Sequence, residues 1–207
     1  MFIKIKYTTF HLPRQGSKLY NATMHIAILG GSFDPPHNGH AKIAESVIAK
    51  LNFDQVWLMP CFAHAFGKTL LAASGRMAMT ILLETKTIQA LDYEIQKGGI
   101  SISYETLTDL AKLHPHHSFS WIIGSDQIAD FPKWEGWREI ISKFGLIIVQ
   151  RDSLHLSTLQ DVTFLQSNNI PNVSSTEIRE KIKKGNSIEN LVPKRVEEYI
   201  KKHKLYI

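Results

Sequence analysis

Apolar residues fall along this chain in two alternating rhythms. Short unbroken runs occur at His25-Ile-Ala-Ile-Leu29, Gln55-Val-Trp-Leu-Met59, Phe119-Ser-Trp-Ile-Ile123 and Leu146-Ile-Ile-Val149. Their length and β-branched content predict buried strands. Val162-Thr-Phe-Leu165 is a weaker one. Two runs close on glycine, at Gly30-Gly31 and at Gly124, as strands do on entering a tight turn, and Pro60 stops another. Between them the spacing changes to three and four. Ile43, Val47, Ile48 and Leu51 predict a helix over 39–51, and Leu107, Leu110 and Ala111 one over 103–113. Residues 76–84 read as a helix, and 60–74 have no period and read as a loop. From Ser175 the pattern is helical, interrupted near Gly185, and Pro193 opens a last helix with Val196, Tyr199 and Ile200 on one face. Strands alternating with helices predict an α/β fold, a mostly parallel sheet with helices on both faces. Ligands of such sheets bind beyond the carboxyl ends of the strands, where the glycine turns lie.

Composition narrows the function classes. With 207 residues and 43% hydrophobic content the chain can bury a full core in one domain. No apolar run approaches the ~20 residues that span a bilayer, so no membrane role is expected. One cysteine, Cys61, excludes an intramolecular disulfide framework and a cysteine-rich zinc site, and fits a reducing, cytoplasmic setting. The net charge is +5 and the pI about 9.2, with the basic residues scattered. That balance favours polyanionic ligands, small phosphate-bearing molecules at least as much as a nucleic-acid groove. Residues 1–23 hold Lys4, Lys6, Arg14 and Lys18 and no acid, a composition shared with transit peptides. Met24 stands directly before the first strand, so the reading taken over a transit peptide is a non-native upstream start, with 1–23 an N-terminal extension expected to be flexible and 24–207 a single domain with a helical C-terminal part.

The chemistry concentrates in two segments. Gly30-Gly-Ser-Phe-Asp-Pro-Pro-His-Asn-Gly-His40 follows a strand and precedes a helix. Gly30 and Gly31 let the backbone turn and approach a ligand. Ser32 adds a hydroxyl, and the amides and dipole of the helix beginning near Gly39 favour an anion. His37 and His40 are three apart and face the same way if both lie on the first turn. Phosphoryl and nucleotidyl transfer need positioned donors for charge on phosphate oxygens more than covalent help, and two imidazoles at a helix start supply them. The spacing is neither a Gly-x-Gly-x-x-Gly dinucleotide turn nor a P-loop. Zinc would lack a third ligand on this helix, and His114, His116 and His117 read as a solvated loop.

The second segment is Ser174-Ser-Thr-Glu-Ile-Arg179. Ser174 and Glu177 have the spacing of a capping box. Capping leaves Ser175, Thr176 and Arg179 unexplained, and two hydroxyls with an arginine one turn in make a cradle for a triphosphate.

Together the two segments resemble the adenylyltransferase branch of the nucleotidyltransferase superfamily, and within it the bacterial nicotinate mononucleotide adenylyltransferases. The similarity runs from Met24 to the C-terminus and includes Val56-Trp-Leu-Met-Pro60, Ile122-Ile-Gly-Ser-Asp-Gln127, Phe131-Pro-Lys-Trp-Glu-Gly-Trp137 and Leu191-Val-Pro193. The resemblance implies a Rossmann-like fold and attack of a pyridine mononucleotide phosphate on the α-phosphate of ATP. Mg²⁺ would be carried by the ATP phosphates, with no metal ligand in the protein. It implies catalytic roles for His37, His40 and Arg179. Gly30, Gly31, Ser32, Phe33, Ser175 and Thr176 would join them around ATP. On the acceptor side it implies Lys68, Ser103, Gly124, Asp126 near the ribose, and Trp134 stacked on the pyridine ring. Asp126 at a strand end also has the alternative of capping the next helix, and either Trp134 or Trp137 can be a core residue.

The chain departs from the family pattern in three places. A usual Pro-Pro-His-Lys run is here His64-Ala-Phe-Gly-Lys68, a Ser-Tyr-Thr run that helps bind the nicotinate carboxylate is Ser101-Ile-Ser103, and the aromatic after the stacking tryptophan is Glu135. Nicotinamide mononucleotide or another phosphate acceptor is therefore the alternative substrate, and a non-catalytic nucleotide sensor the alternative class. Nucleic acid ranks last, and homo-oligomerisation is left open.

Overall fold

The computed structural model describes residues 23–63, 67, 69–150, 159–166 and 170–207. Nearly all of the N-terminal extension, and Lys68, lie outside them. Among the described residues six strands form one sheet: β1 (His25–Gly31), β2 (Gln55–Pro60), β3 (Ile88–Ala90), β4 (Ser118–Gly124), β5 (Leu146–Gln150) and β6 (Thr163–Gln166). Every pairing is parallel, in the order β3-β2-β1-β4-β5-β6. The order reverses between β1 and β4. In a sheet of this kind that switch opens a crevice at the strands' carboxyl ends, and here both strands end in glycine, at Gly31 and Gly124.

The helices are α1 (Asn38–Leu51), α2 (Ala73–Ile81), α3 (Tyr93–Lys97), α4 (Ser103–Leu113), α5 (Trp137–Glu139, running on as a π-turn over Ile140–Phe144), α6 (Ser175–Lys183) and α7 (Lys194–His203). Side chains on a strand alternate between faces, which divides the core in two. Ala27, Leu29, Val56, Leu58 and Ile147 pack with Ile43 and Val47 of α1, Met79 of α2, Ile178 of α6 and Val196 and Ile200 of α7. Ile26, Ile28, Met59, Trp121 and Ile148 pack on the other side with Leu107 and Leu110 of α4 and with Phe131 and Ile140. The expected parallel sheet with helices on both faces is therefore present.

One local expectation changes, and one strand is added that the pattern did not predict. Helix α2 begins at Ala73 rather than Arg76, because Ser74 and Gly75 carry no apolar marker to extend the pattern back to it. It ends at Ile81, and Leu82, Leu83 and Glu84 continue in i→i−3 turns. Strand β3 has three residues, too few to show a period, and is recruited by Val56 N to Thr87 O and Leu91 N to Leu58 O, both 2.9 Å.

Gly30 is required by packing. A Cβ there would stand 2.3 Å from Cζ2 of Trp121, which is 3% exposed and hemmed in by the core. Gly30→Ala should therefore lower stability by about 1–3 kcal/mol, read as a reduced denaturant midpoint with an unchanged m-value.

Candidate active site

The loop from β1 to α1 crosses the switch point. Phe33 has φ 49°, a left-handed conformation that non-glycine residues enter at a cost and that clusters at functional sites. Its ring is buried, 1% exposed, and so pins the loop to the core. His37 occupies the N-cap of α1 and His40 its third helical position. His37 N donates to His40 Nδ1 at 3.2 Å, half of a capping box in which imidazole replaces the usual Glu or Gln. The two rings lie 3.8 Å apart between centroids, and Phe33 stands 4.7 Å from His40 on centroids. Both histidines thus face one side, as their spacing predicts. An Nδ1 that accepts from an amide leaves the proton of neutral His40 on Nε2, so that nitrogen is a donor. Not every amide at this helix start is on offer, since Asn38 N donates to Leu191 O at 3.0 Å while Asn38 Nδ2 holds Asn190 O at 2.8 Å.

Helix α6 brings the second segment to the first. Ser174 Oγ accepts from Glu177 N at 3.1 Å, the capping contact expected from the sequence. Ser175 Oγ donates to Pro35 O at 2.8 Å, and Arg179 Nη1 donates to Asp34 O at 2.6 Å and Nη2 to Thr176 Oγ1 at 3.2 Å. Arg179 and Asp34 are 145 positions apart. Gly30, Gly31, Ser32, Phe33, His37, His40, Ser175, Thr176 and Arg179 are thereby drawn into one region.

The residues expected on the acceptor side come from other elements. Cys61 N donates to Gly31 O at 2.9 Å, Ala63 bridges Ile100, and Phe62 N donates to Ser101 Oγ at 3.2 Å. These links bring Ser103, the first residue of α4, toward the carboxyl ends of β1 and β2. Asp126 is exposed in a 3₁₀ turn over Ser125–Gln127, with its carboxylate over Gly124. A Cβ on Gly124 would meet Asp126 Oδ1 at 2.2 Å. Gly124, not Asp126, holds the N-cap of that turn, which removes the helix-cap alternative. Trp134 and Trp137 are both half-buried against Phe131, with centroids at 5.3 and 6.3 Å, and Arg138 sits 4.4 Å over Trp137. Lys68 and His64 fall outside the described residues. The loop after α4 exposes His116 as expected but not His114. His114 is half-buried edge-on to Trp57, and burial lowers its pKa. Among the described residues no group of three His, Cys, Asp or Glu could hold a metal ion, and no helix is long and apolar enough to cross a membrane.

Three residues support the site in ways the sequence did not assign. Arg76, 1% exposed, donates to Ser32 O (2.8 Å), Phe62 O (2.9 Å) and Leu71 O (2.8 Å). Asp34, 2% exposed, accepts from Tyr206 OH at 2.7 Å and Leu71 N at 3.2 Å. Glu94 is buried with Thr106 Oγ1 donating to it at 2.7 Å, and burial pushes its carboxyl above the usual range. A charged residue inside an otherwise regular helix is the one signal that could have exposed Arg76.

A family model described as cytidylyltransferase-like matches residues 28–181. A protein named "probable nicotinate-nucleotide adenylyltransferase" from Methylacidiphilum infernorum is 34% identical, the match covering 88% of this chain and 92% of that one. One of the same name from Oceanobacillus iheyensis is 35% identical, with 87% and 96% covered. Among solved structures, Plasmodium falciparum nicotinic acid mononucleotide adenylyltransferase complexed with NaAD superposes with a TM-score of 0.74 at 26% identity, over 88% of this chain and 97% of that one.

Proposed function

The chain belongs to the nicotinate-nucleotide adenylyltransferases of the cytidylyltransferase-like family, and from that premise we infer how its residues carry the reaction. The enzyme transfers AMP from ATP to nicotinate mononucleotide, giving nicotinate adenine dinucleotide and pyrophosphate, a step of NAD biosynthesis. The observation that carries the assignment of residues is the joining of the two phosphate-directed segments by Arg179 and Ser175 on the backbone of Asp34 and Pro35.

In this reading a phosphate oxygen of the mononucleotide attacks the α-phosphorus of ATP. The bond to the α,β-bridging oxygen breaks, its electron pair leaves with pyrophosphate, and no covalent enzyme intermediate is needed. His40 donates from Nε2 to the α-phosphate, where charge builds in the transition state, and His37 supports it from the helix start. Ser175, Thr176 and Arg179 hold the β- and γ-phosphates. Gly30, Gly31, Ser32 and Phe33 give backbone access between them. Ser103, Gly124, Asp126, Lys68 and Trp134 bind the acceptor. Mg²⁺ enters with the triphosphate, as part of the substrate. A cytoplasmic location belongs to the same proposal and accords with a single, buried, free Cys61.

The test is pyrophosphate release from ATP and Mg²⁺ with nicotinate or nicotinamide mononucleotide supplied separately. Higher kcat/KM with nicotinate mononucleotide is expected, Ile102 and Glu135 then being tolerated departures. Preference for the amide would keep the chemistry and overturn the acceptor.

A further inference from the structure

The last residues of the chain return to the first motif. Helix α7 ends at His203, and Lys204 caps it in a left-handed conformation (φ 50°). Leu205 N donates back to Ile200 O at 3.1 Å, reversing the chain. Leu205 and Tyr206 then pack against the core that holds α1, α6 and α7. Tyr206, also left-handed at φ 66°, directs its hydroxyl to Asp34 Oδ1 at 2.7 Å, across 172 positions of sequence.

Asp34 is the hub of that contact. Its side chain is buried and its carboxylate is divided between Tyr206 OH and Leu71 N, while its backbone oxygen accepts from Arg179. A buried carboxylate needs such donors, because an unsatisfied charge in the interior is costly. Burial, and then the carboxylate beside it, hold the Tyr206 phenol well above its ordinary pKa, so the hydroxyl keeps its proton and donates throughout the physiological range.

We propose that Tyr206 is a positioning residue for ATP: by holding the buried Asp34 carboxylate it fixes the backbone of residues 33–35 and, through Asp34 O, the guanidinium of Arg179. Tyr206 touches no substrate in this account. Its effect passes to the triphosphate side, since Arg179 and the 30–40 loop both depend on Asp34. Ser103, Asp126 and Trp134 stand on other elements, so acceptor binding is insulated from it. The proposal rests on the assignment of Arg179 and the loop to ATP.

The test compares wild type, Tyr206→Phe, Asp34→Asn and the double variant. Phenylalanine keeps the ring in the core and removes only the donor. The first readout is direct titration with a non-hydrolysable ATP analogue, which needs no acceptor and so stands even if the acceptor assignment fails. Tyr206→Phe should bind the analogue about tenfold more weakly and raise the KM for ATP in proportion. The KM for nicotinate mononucleotide should be unchanged, while the melting midpoint should fall by on the order of 5 °C, because the buried carboxylate loses one of its donors. Asp34→Asn should lose as much or more, and adding Tyr206→Phe to it should cost nothing further, because both remove one linkage. Unchanged analogue affinity in Tyr206→Phe, fully additive losses in the double variant, or a parallel rise of both KM values would each overturn the proposal. Failure of wild type to bind the analogue would overturn the ATP assignment beneath it.

Discussion

A His40→Ala enzyme should turn over about 10²–10³-fold more slowly than wild type, with ATP still bound. A single positioned donor to charge developing in a transition state is worth about 3–4 kcal/mol. The structure gives reasons to expect the full effect. The ring of His40 is confined between His37 at 3.8 Å and Phe33 at 4.7 Å, so its donor needs little reorganisation. The accepting Nδ1 sets the tautomer. Alanine also removes half of the capping box, which lowers stability by about 1 kcal/mol, so activity lost through unfolding must be separated from activity lost through chemistry. His40→Gln does that. Glutamine at the third position of a helix can accept from the N-cap amide as His40 does, but its amide is held in a different place and carries no imidazole. It should recover the melting temperature of wild type and stay near alanine in kcat. Wild-type kcat in either variant would remove His40 from the mechanism.

Arg76→Ala should be the most destabilising single change in the site, by about 3–5 kcal/mol, lowering the melting midpoint by on the order of 10 °C. The guanidinium spans Ser32 O, Phe62 O and Leu71 O and lies within 4.0 Å of Cys61 Sγ. Its removal orphans three carbonyls and opens a cavity of arginine size. Lysine should not rescue it. One ammonium on a flexible stem cannot reproduce the planar fork that meets three separate acceptors. Because Ser32 lies in the 30–40 loop and Phe62 precedes the bridge to Ile100, the variants should also lose kcat/KM for both substrates below their melting point. Thermal unfolding of Arg76→Ala and Arg76→Lys checks this, and wild-type stability in the lysine variant would show that a point charge suffices.

The two motifs and the strand-helix alternation were legible because each is local. A buried strand writes its own apolar run, and a phosphate-binding turn needs glycines and polar donors within about ten residues. The capping contact of Ser174 and the shared facing of His37 and His40 follow from helical geometry alone. Strand β3 was not legible, because three residues carry no period and its place is set by the free edge of β2. The choice between Trp134 and Trp137 was not legible either. Both meet Phe131, and only the packing of the 125–144 turns brings them there.

The sequence by itself determined the class of fold, the position of the proposed phosphate-binding turn at a strand end, and the residue types available there. Tertiary structure decided which of those residues work together. The contact of Arg179 with Asp34 spans 145 positions and that of Tyr206 with the same residue spans 172, far beyond any periodicity. Arg76 looks like one more charged helical residue until the segments containing Ser32, Phe62 and Leu71 close around it. The physical reason is common to all three. A hydrogen bond to a buried carbonyl or carboxylate acquires its value only when folding has removed water from both partners, and chain order does not say which groups will be left without water together.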